Sequence, residues 1–236
     1  MPFTTAKLKI TWENLPDDFI LDEKPVENSD QPILAAALRE SLEIAQLIQD
    51  RILVASNMGI CATLNGKLVI KAPDFFYVRN VEPLPTQEVR RSYTPNLEGE
   101  IPAILMEFLL ATEGDEYSNK PTYPPGKWFF YEQILYVPFY AIFEPVAGML
   151  EVYRLNSLER YELQQSDANN RYWIEGVGLF LGVWQGTKAE RTGYWLRWWD
   201  ESGEMLLWGA ETIERERQRA ERLAAKLRAA GIEPEV

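Results

Sequence analysis

Apolar residues recur along this chain with two periods. Between residues 32 and 48, Leu34, Leu38, Leu42 and Ala45 fall three or four apart, which predicts a helix with one buried face. Asp30 is placed to cap that helix and Pro32 to open it, since a first turn loses nothing by proline's missing N–H. Shorter runs follow. Residues 51–55, 60–64, 67–71 and 74–78 are strand-like, and the middle two flank Asn65-Gly66, a strong signal for a two-residue hairpin turn. A polar stretch over 82–100, with three prolines and a glycine, reads as loop. Residues 103–110 (AILMEFLL) read as a buried strand. A Pro- and Gly-containing loop over 111–126 leads to a helix expected over 127–135, then to strands over 139–143 and 149–155.

Beyond residue 155 the pattern is of short, Trp-rich strands: 160–164, 171–174, 179–184, 194–199 and 205–208, with turns at 167–170 and 201–203. Residues 211–230 (ETIERERQRAERLAAKLRAA) read as a charged helix closed by Gly231. A seven-residue spacing aligns Ile213, Ala220 and Leu227, while Glu216 breaks the neighbouring row of Leu223 and Ala230, so the heptad seam is short and imperfect. The start of the chain is polar, with Asp17, Asp18, Asp22, Glu23 and Glu27, and reads as an arm holding one short strand near residues 8–12. The predicted class is α/β (α+β), with a mixed central sheet flanked by helices. Its parts are an arm over 1–30, a core over 31–155, a β extension over 156–208 packed on that core, and a charged C-terminal helix over 209–236.

Composition narrows the chemistry. With 46% hydrophobic residues and eight Trp in 236, the chain can bury a large core and is not disordered throughout. Its formal net charge of −12 argues against a protein that coats nucleic acid non-specifically, though a local basic patch can still meet a phosphate. Histidine is absent, which removes His-dependent triads, dyads and zinc sites together. A single cysteine, Cys61, excludes intrachain disulfides and points to the cytoplasm. No secretory leader pattern and no membrane-spanning apolar run is expected. Any metal must be held by oxygen, as suits Mg²⁺, Mn²⁺ or Ca²⁺.

Two acids stand out. Glu107 is the one charge in the apolar run 103–110, where burial is costly unless the carboxyl is paired, protonated or metal-bound. Asp74 follows Lys71-Ala72-Pro73 at the start of a strand. Each has an ordinary reading too: Glu107 at a strand end reaching solvent or an arginine, and Asp74 as a turn cap. Arg79, Arg90 and Arg91 form either a phosphate-facing patch or a solvated loop. Trp195, Trp198 and Trp199 fit core packing better than base stacking. The terminal helix carries six basic against four acidic residues from Glu211 onward, a mixture that favours dimerisation or intramolecular packing over a DNA-binding arm.

Read in order, Lys71-Ala72-Pro73-Asp74, residues 102–109 (PAILMEFL), Gly126-Lys127 with Tyr131, Val137-Pro138 with Tyr140, and Phe143-Glu144-Pro145 resemble the PD-(D/E)XK nuclease superfamily. Within it they resemble the Uma-type restriction endonuclease family. The resemblance covers residues 10–155, and the tail ending in LRAAGIEP is separately similar. It implies a restriction-endonuclease-like core and a Mg²⁺- or Mn²⁺-dependent endonuclease acting on DNA, with Asp74 and Glu107 as metal ligands and the Phe108 carbonyl as another. The superfamily's lysine usually stands two residues after the second acid, where this chain has Leu109. The resemblance assigns that role, orienting water and stabilising negative charge, to Lys127 on the following helix, with Lys71 as the fallback. It also brings in Glu40, as a first-helix carboxylate near the metal, and Asp115 and Glu116 in the loop before the lysine. Cutting two strands is served by a homodimer. The rival reading is a nuclease fold without turnover, acting in binding or as a scaffold; the acidic net charge, the displaced lysine and the Trp-rich extension favour it.

Overall fold

A computed structural model describes residues 8–14, 29–85, 88–109 and 115–231. The arm acids Asp17, Asp18, Asp22, Glu23 and Glu27, the end of the 103–110 run at Leu110, and residues 232–236 lie outside the described residues. The fold is α+β, with several sheets and, among the described residues, three α-helices.

The centre is a six-stranded mixed sheet. Its strands are β2 (Leu53–Ala55), β5 (Phe75–Val78), β7 (Ile104–Phe108), β8 (Phe139–Glu144), β9 (Met149–Leu155) and β10 (Tyr161–Leu163), in the order β10-β9-β8-β7-β5-β2. The β7–β8 pair is parallel and the other pairs are antiparallel. All five residues of β7 are buried, as expected of a strand covered on both faces.

On one face, Phe75, Tyr77, Ile104, Met106 and Phe108 pack with Leu34, Leu38 and Leu42 of α1 (Asp30–Ile44). The same cluster takes in Leu181, Trp195, Trp198 and Trp208, so residues from the 156–208 stretch share this core. They come from a three-stranded sheet of β11 (Arg171–Ile174), β12 (Leu179–Lys188) and β13 (Arg191–Trp199). On the other face, Phe76, Val78, Leu105 and Ile142 pack against Phe130, Tyr131 and Ile134. These three belong to a π-helical turn, Phe130–Ile134, that continues the short α2 (Lys127–Phe129). The same face is covered by β3 (Gly59–Leu64) and β4 (Lys67–Lys71), which are joined with β1 (Ile10–Thr11) and β6 (Ser92–Tyr93) in a separate sheet. The β3–β4 turn has Asn65 at φ 51° and Gly66 at φ 77°, the two positive angles that an Asn-Gly hairpin turn uses.

Several boundaries differ from expectation for local physical reasons. Helix α1 stops at Ile44 rather than 48: Gln46 turns left-handed at φ 57°, and the Leu47 N–H closes back on the Leu42 carbonyl. Loop 82–100 contains β6, which pairs in parallel with β3. Strands β12 and β13 run past their apolar stretches to Lys188 and Arg191: the Thr187 and Thr192 hydroxyls bond across the ladder, the Trp195 indole donates to the Gly186 carbonyl, and Gly186 leaves room for the Trp184 ring. Residues 205–208 form no strand; a single bridge joins Trp199 to Met205, and Trp208 caps α3 (Gly209–Ala229). The Trp208 N–H donates to the Glu211 carboxylate at 2.8 Å. Glu211 also takes both terminal nitrogens of Arg197, a fully buried guanidinium that lies over the Trp208 ring.

Candidate functional site

Strand register brings the two singled-out acids together. Antiparallel β5 and β7 pair Phe75 with Met106 and Phe76 with Leu105, so the next step outward sets Asp74 against Glu107. Side chains at directly opposite positions share a face, with Cβ atoms about 4.5–5.5 Å apart. Alternation puts Glu107 on the side of Phe76 and Leu105, beneath α2 and the π-turn, and Asp74, just before β5, is near enough for its charge to act on both Glu107 and Lys127. The backbone explains why Asp74 stays there. The Pro73 carbonyl is turned away to accept the Asn57 N–H, and the Asp74 Oδ2 takes its place at the end of β7, accepting the Phe108 N–H at 2.6 Å.

Glu107 is 1% exposed. Its Oε2 accepts from Lys127 Nζ at 2.8 Å and its Oε1 from the Tyr131 hydroxyl at 2.9 Å. Lys127 and Tyr131 stand four apart, one turn of the helical segment, so both reach down to the same carboxylate. Glu116 lies 3.6 Å from the Lys127 ammonium. Glu107 and Glu116 thus share one ammonium, and the charge of Asp74 also acts on it. Burial pushes the Glu107 carboxyl up to about 7; Lys127 opposes that rise and the charge of Asp74 adds to it. Burial pulls on Lys127 in the opposite sense, but Glu107, Glu116 and Asp74 outweigh it and hold the ammonium above its ordinary value. Burial, and then the Glu107 charge, keep the Tyr131 phenol protonated.

A residue the sequence analysis did not single out completes the arrangement. Gln31, in the first turn of α1, donates from Nε2 to the Phe108 carbonyl at 2.9 Å and lies 3.4 Å from Asp74 Oδ2. The signal was its position: three before Leu34 and seven before Leu38, it is a polar residue at the head of the buried row.

The remaining expectations fall elsewhere. Glu40 is corrected as a site member: nine residues beyond Gln31, about 13 Å along the helix, it pairs with Lys188 and accepts the Gly209 N–H. Lys71 is bound at 2.7 Å to Asp115, which also accepts the Lys127 backbone N–H, so the pair braces the start of α2 and does not reach Glu107. The Phe108 carbonyl, expected to face a metal, receives the Gln31 amide. Arg90 is held by Glu98 and the Glu82 carbonyl, and Arg79 by Glu100, so both tie loop 82–100 to itself and its neighbours. Trp195 and Trp198 are fully buried core residues.

Among the described residues, no three His, Cys, Asp or Glu side chains are gathered in a metal-binding cluster. The donor set at the site is two opposed carboxylates and a backbone carbonyl. Mg²⁺ keeps several waters and uses one or two carboxylates, so these oxygens would hold it only by giving up hydrogen bonds they now accept from Lys127, Tyr131 and Gln31. Among the described residues no helix is long and apolar enough to cross a membrane. Neither the family models nor the curated proteins contain a match to this chain.

Proposed function

We propose that the chain is a Mg²⁺- or Mn²⁺-dependent endonuclease of the PD-(D/E)XK type, hydrolysing DNA phosphodiester bonds. The observation that carries this reading is the nearness of Asp74, at the head of β5, to Glu107 in β7, whose carboxylate is bound to the Lys127 ammonium. Asp74, Glu107 and the Phe108 carbonyl would hold the cation. When bound, the cation supplies charge compensation at the phosphate and lowers the pKa of a water.

The chain's own residues do the rest. Glu107 and Asp74 fix the reacting centre on rigid adjacent strands. Lys127 is held pointing into the site by Glu107 and Glu116, and its ammonium is placed to orient the attacking water and to meet developing negative charge. Tyr131 keeps Glu107 in one orientation through its other oxygen. Tyr131 and Tyr140, both fully buried, pack ring against ring beside Glu107, and Trp128 packs on Tyr140. A cytoplasmic homodimer, one copy per strand, fits double-strand cutting.

A second reading has its own support: both oxygens of Glu107 are already engaged by Lys127 and Tyr131, as in a purely structural network. One experiment separates the two. Supercoiled plasmid is incubated with the protein and Mg²⁺ or Mn²⁺. The nuclease reading expects nicking that falls at least about 100-fold in Asp74→Ala and Glu107→Ala. Cleavage unchanged in both variants, or absent together with any Mg²⁺ binding by calorimetry, overturns it and leaves a binding or scaffold protein.

A further inference from the structure

Helix α3 is tied to the body of the protein at its root. Trp208, at its N-cap, is buried with its indole on the Ala37 carbonyl, and Gly209 sits beside Ile44 of α1. No residue of α3 itself is buried. Yet the helix carries an apolar row: Ile213, Ala220, Ala224 and Leu227 recur at steps of seven, four and three, with Leu223 at the row's edge. Ile213 is 72% exposed and Leu223 52%, and among the described residues neither they nor Leu227 packs against either face of the core. A helix left in water at this length is marginal, and ion pairs within it at full exposure contribute little. The row continues into more apolar surface at the root. Ile44 and Leu47 are exposed, and Leu47 lines an open groove with Ala45, Leu179 and Leu206.

The charges beside the row select what covers it. At about 100° per residue, Glu214, Arg217 and Glu221 fall in one stripe along one side. Within the helix Arg217 lies 3.0 Å from Glu214 and 3.8 Å from Glu221. A stripe that alternates in sign complements its own reverse. A second copy running antiparallel, with the two-fold axis at Ala220, brings Arg217 within reach of the partner's Glu221, and Glu221 within reach of the partner's Arg217. The same arrangement sets Ile213 against the partner's Leu227 and closes the small Ala220 on its own copy at the axis. Glu216, the misfit of the heptad pattern, then meets the partner's Ala224, and it leans on Arg219 of its own helix at 3.6 Å. A parallel pair in register would put two Glu216 carboxylates together in the seam, which is unfavourable. A partner helix carrying one sign of charge would match only part of the stripe.

We propose that α3 is the dimerisation helix of this chain, pairing antiparallel with α3 of a second copy and carrying its Leu227 end toward the exposed Ile44 at the other's root. This gives the homodimer of the proposed function an interface, and it stands whether or not the chain cuts DNA. The seam is about two heptads long, shorter than a free-standing coiled coil needs. The apolar surface at the root lengthens it, and the pair is reversible.

Sedimentation equilibrium of the full chain, from about 1 to about 100 μM, tests this by mass. Plasmid nicking plays no part, so the interface and the nuclease reading fail separately. The expected result is a mass that rises from 27.3 kDa toward twice that value across the range. Leu223→Glu combined with Leu227→Glu should weaken the dimer at least about 100-fold. Arg217→Glu should weaken it about 3-fold to 10-fold, and adding Glu221→Arg to that variant should restore it. Direction is read by cysteine exchange. Under mild oxidation Ile213→Cys and Leu227→Cys should each stay uncrosslinked alone and give the mixed disulfide together; Cys61 is buried and does not compete. The substituted side chains are exposed, so circular dichroism and thermal unfolding of the single chain should be unchanged; if the double Glu variant does unfold, the cysteine exchange alone decides. A single chain at every concentration, a dimer as tight with both leucines replaced, or Ile213→Cys that crosslinks with itself and not with Leu227→Cys overturns the proposal.

Discussion

Replacing Lys127 with Met removes the ammonium from Glu107 while keeping a side chain of similar length, and its effect should depend on pH in a defined way. In the folded protein the Glu107 carboxyl titrates at about 7, against an ordinary value of 4.5, chiefly because it is buried. Between those values the folded state keeps a proton that the unfolded chain releases. Stability therefore falls as pH rises, by about 1.4 kcal/mol per pH unit, and levels off above pH 7 once the folded carboxyl has ionised. Without Lys127 the carboxyl is pushed further up, so in the variant the decline continues past pH 7. The two proteins should differ least near pH 6, where Glu107 is protonated in both, and the gap should open above pH 7. Above pH 7 the gap widens by at most about 1.4 kcal/mol per pH unit, or on the order of 3–6 °C per unit in melting temperature for a chain of this size. Lys127 stays charged over this range because Glu107 holds its ammonium above the ordinary value, so its own titration does not blur the comparison. The assay is thermal unfolding of both proteins at pH 6, 7, 8 and 9 in chelator, with no divalent metal. A gap of the same size at pH 6 and at pH 9 would refute the claim that the ammonium is what ionises Glu107.

Two further substitutions probe the supports of the site and of the terminal helix. Glu211→Ala leaves the fully buried Arg197 guanidinium with the Leu206 carbonyl but no carboxylate, and should cost about 3–5 kcal/mol in denaturant unfolding; a loss below about 1 kcal/mol would show that the pair contributes no more than a surface ion pair. Gly126→Ala places a methyl 2.0 Å from the Ser118 carbonyl oxygen, so the loop must shift; the expected cost is about 1–3 kcal/mol, with plasmid nicking reduced because Lys127 is the next residue. Wild-type stability in that variant would mean the Gly126–Ser118 approach is not needed to seat α2.

Where sequence signals were local, they located the elements. Asn65-Gly66 marked its hairpin because a two-residue turn needs two positive φ angles, and few dipeptides supply them at low cost. The apolar run around Glu107 marked β7 because a strand covered on both faces has no polar alternation to dilute the signal. Signals that depend on distant partners were not legible. The hairpin of β12 and β13 extends past its apolar residues through a cross-strand Thr pair and the Trp195 indole on the Gly186 carbonyl, which a one-dimensional pattern does not align. Glu40 and Gln31 show the same limit within one helix. Both are polar residues of α1, and only the tertiary position of its first turn brings Gln31 to Asp74 while sending Glu40 to Lys188 and the start of α3.

Asp74, Glu107 and Lys127 stand apart from the rest of the core in how well their surroundings suit them. Elsewhere a buried charge has a carboxylate or guanidinium of its own, although among the described residues the buried Arg197 Nε has no hydrogen-bond partner. Arg197 meets Glu211 with two hydrogen bonds, and Glu132 is held by Arg160, the Tyr161 N–H and the Trp128 indole. Beneath the π-turn the same chain sets Asp74 across from Glu107 and answers with one ammonium, which Glu116 also shares. Burial then costs enough to lift the Glu107 carboxyl into the neutral range. An apolar pair at these positions would fold more easily, since β5 and β7 need no acid to pair. Under the proposed function, a divalent cation would add positive charge beside an ammonium that Glu107 and Glu116 share. Buried carboxylates of this kind are expected at functional sites, where part of the stability is given up for chemistry.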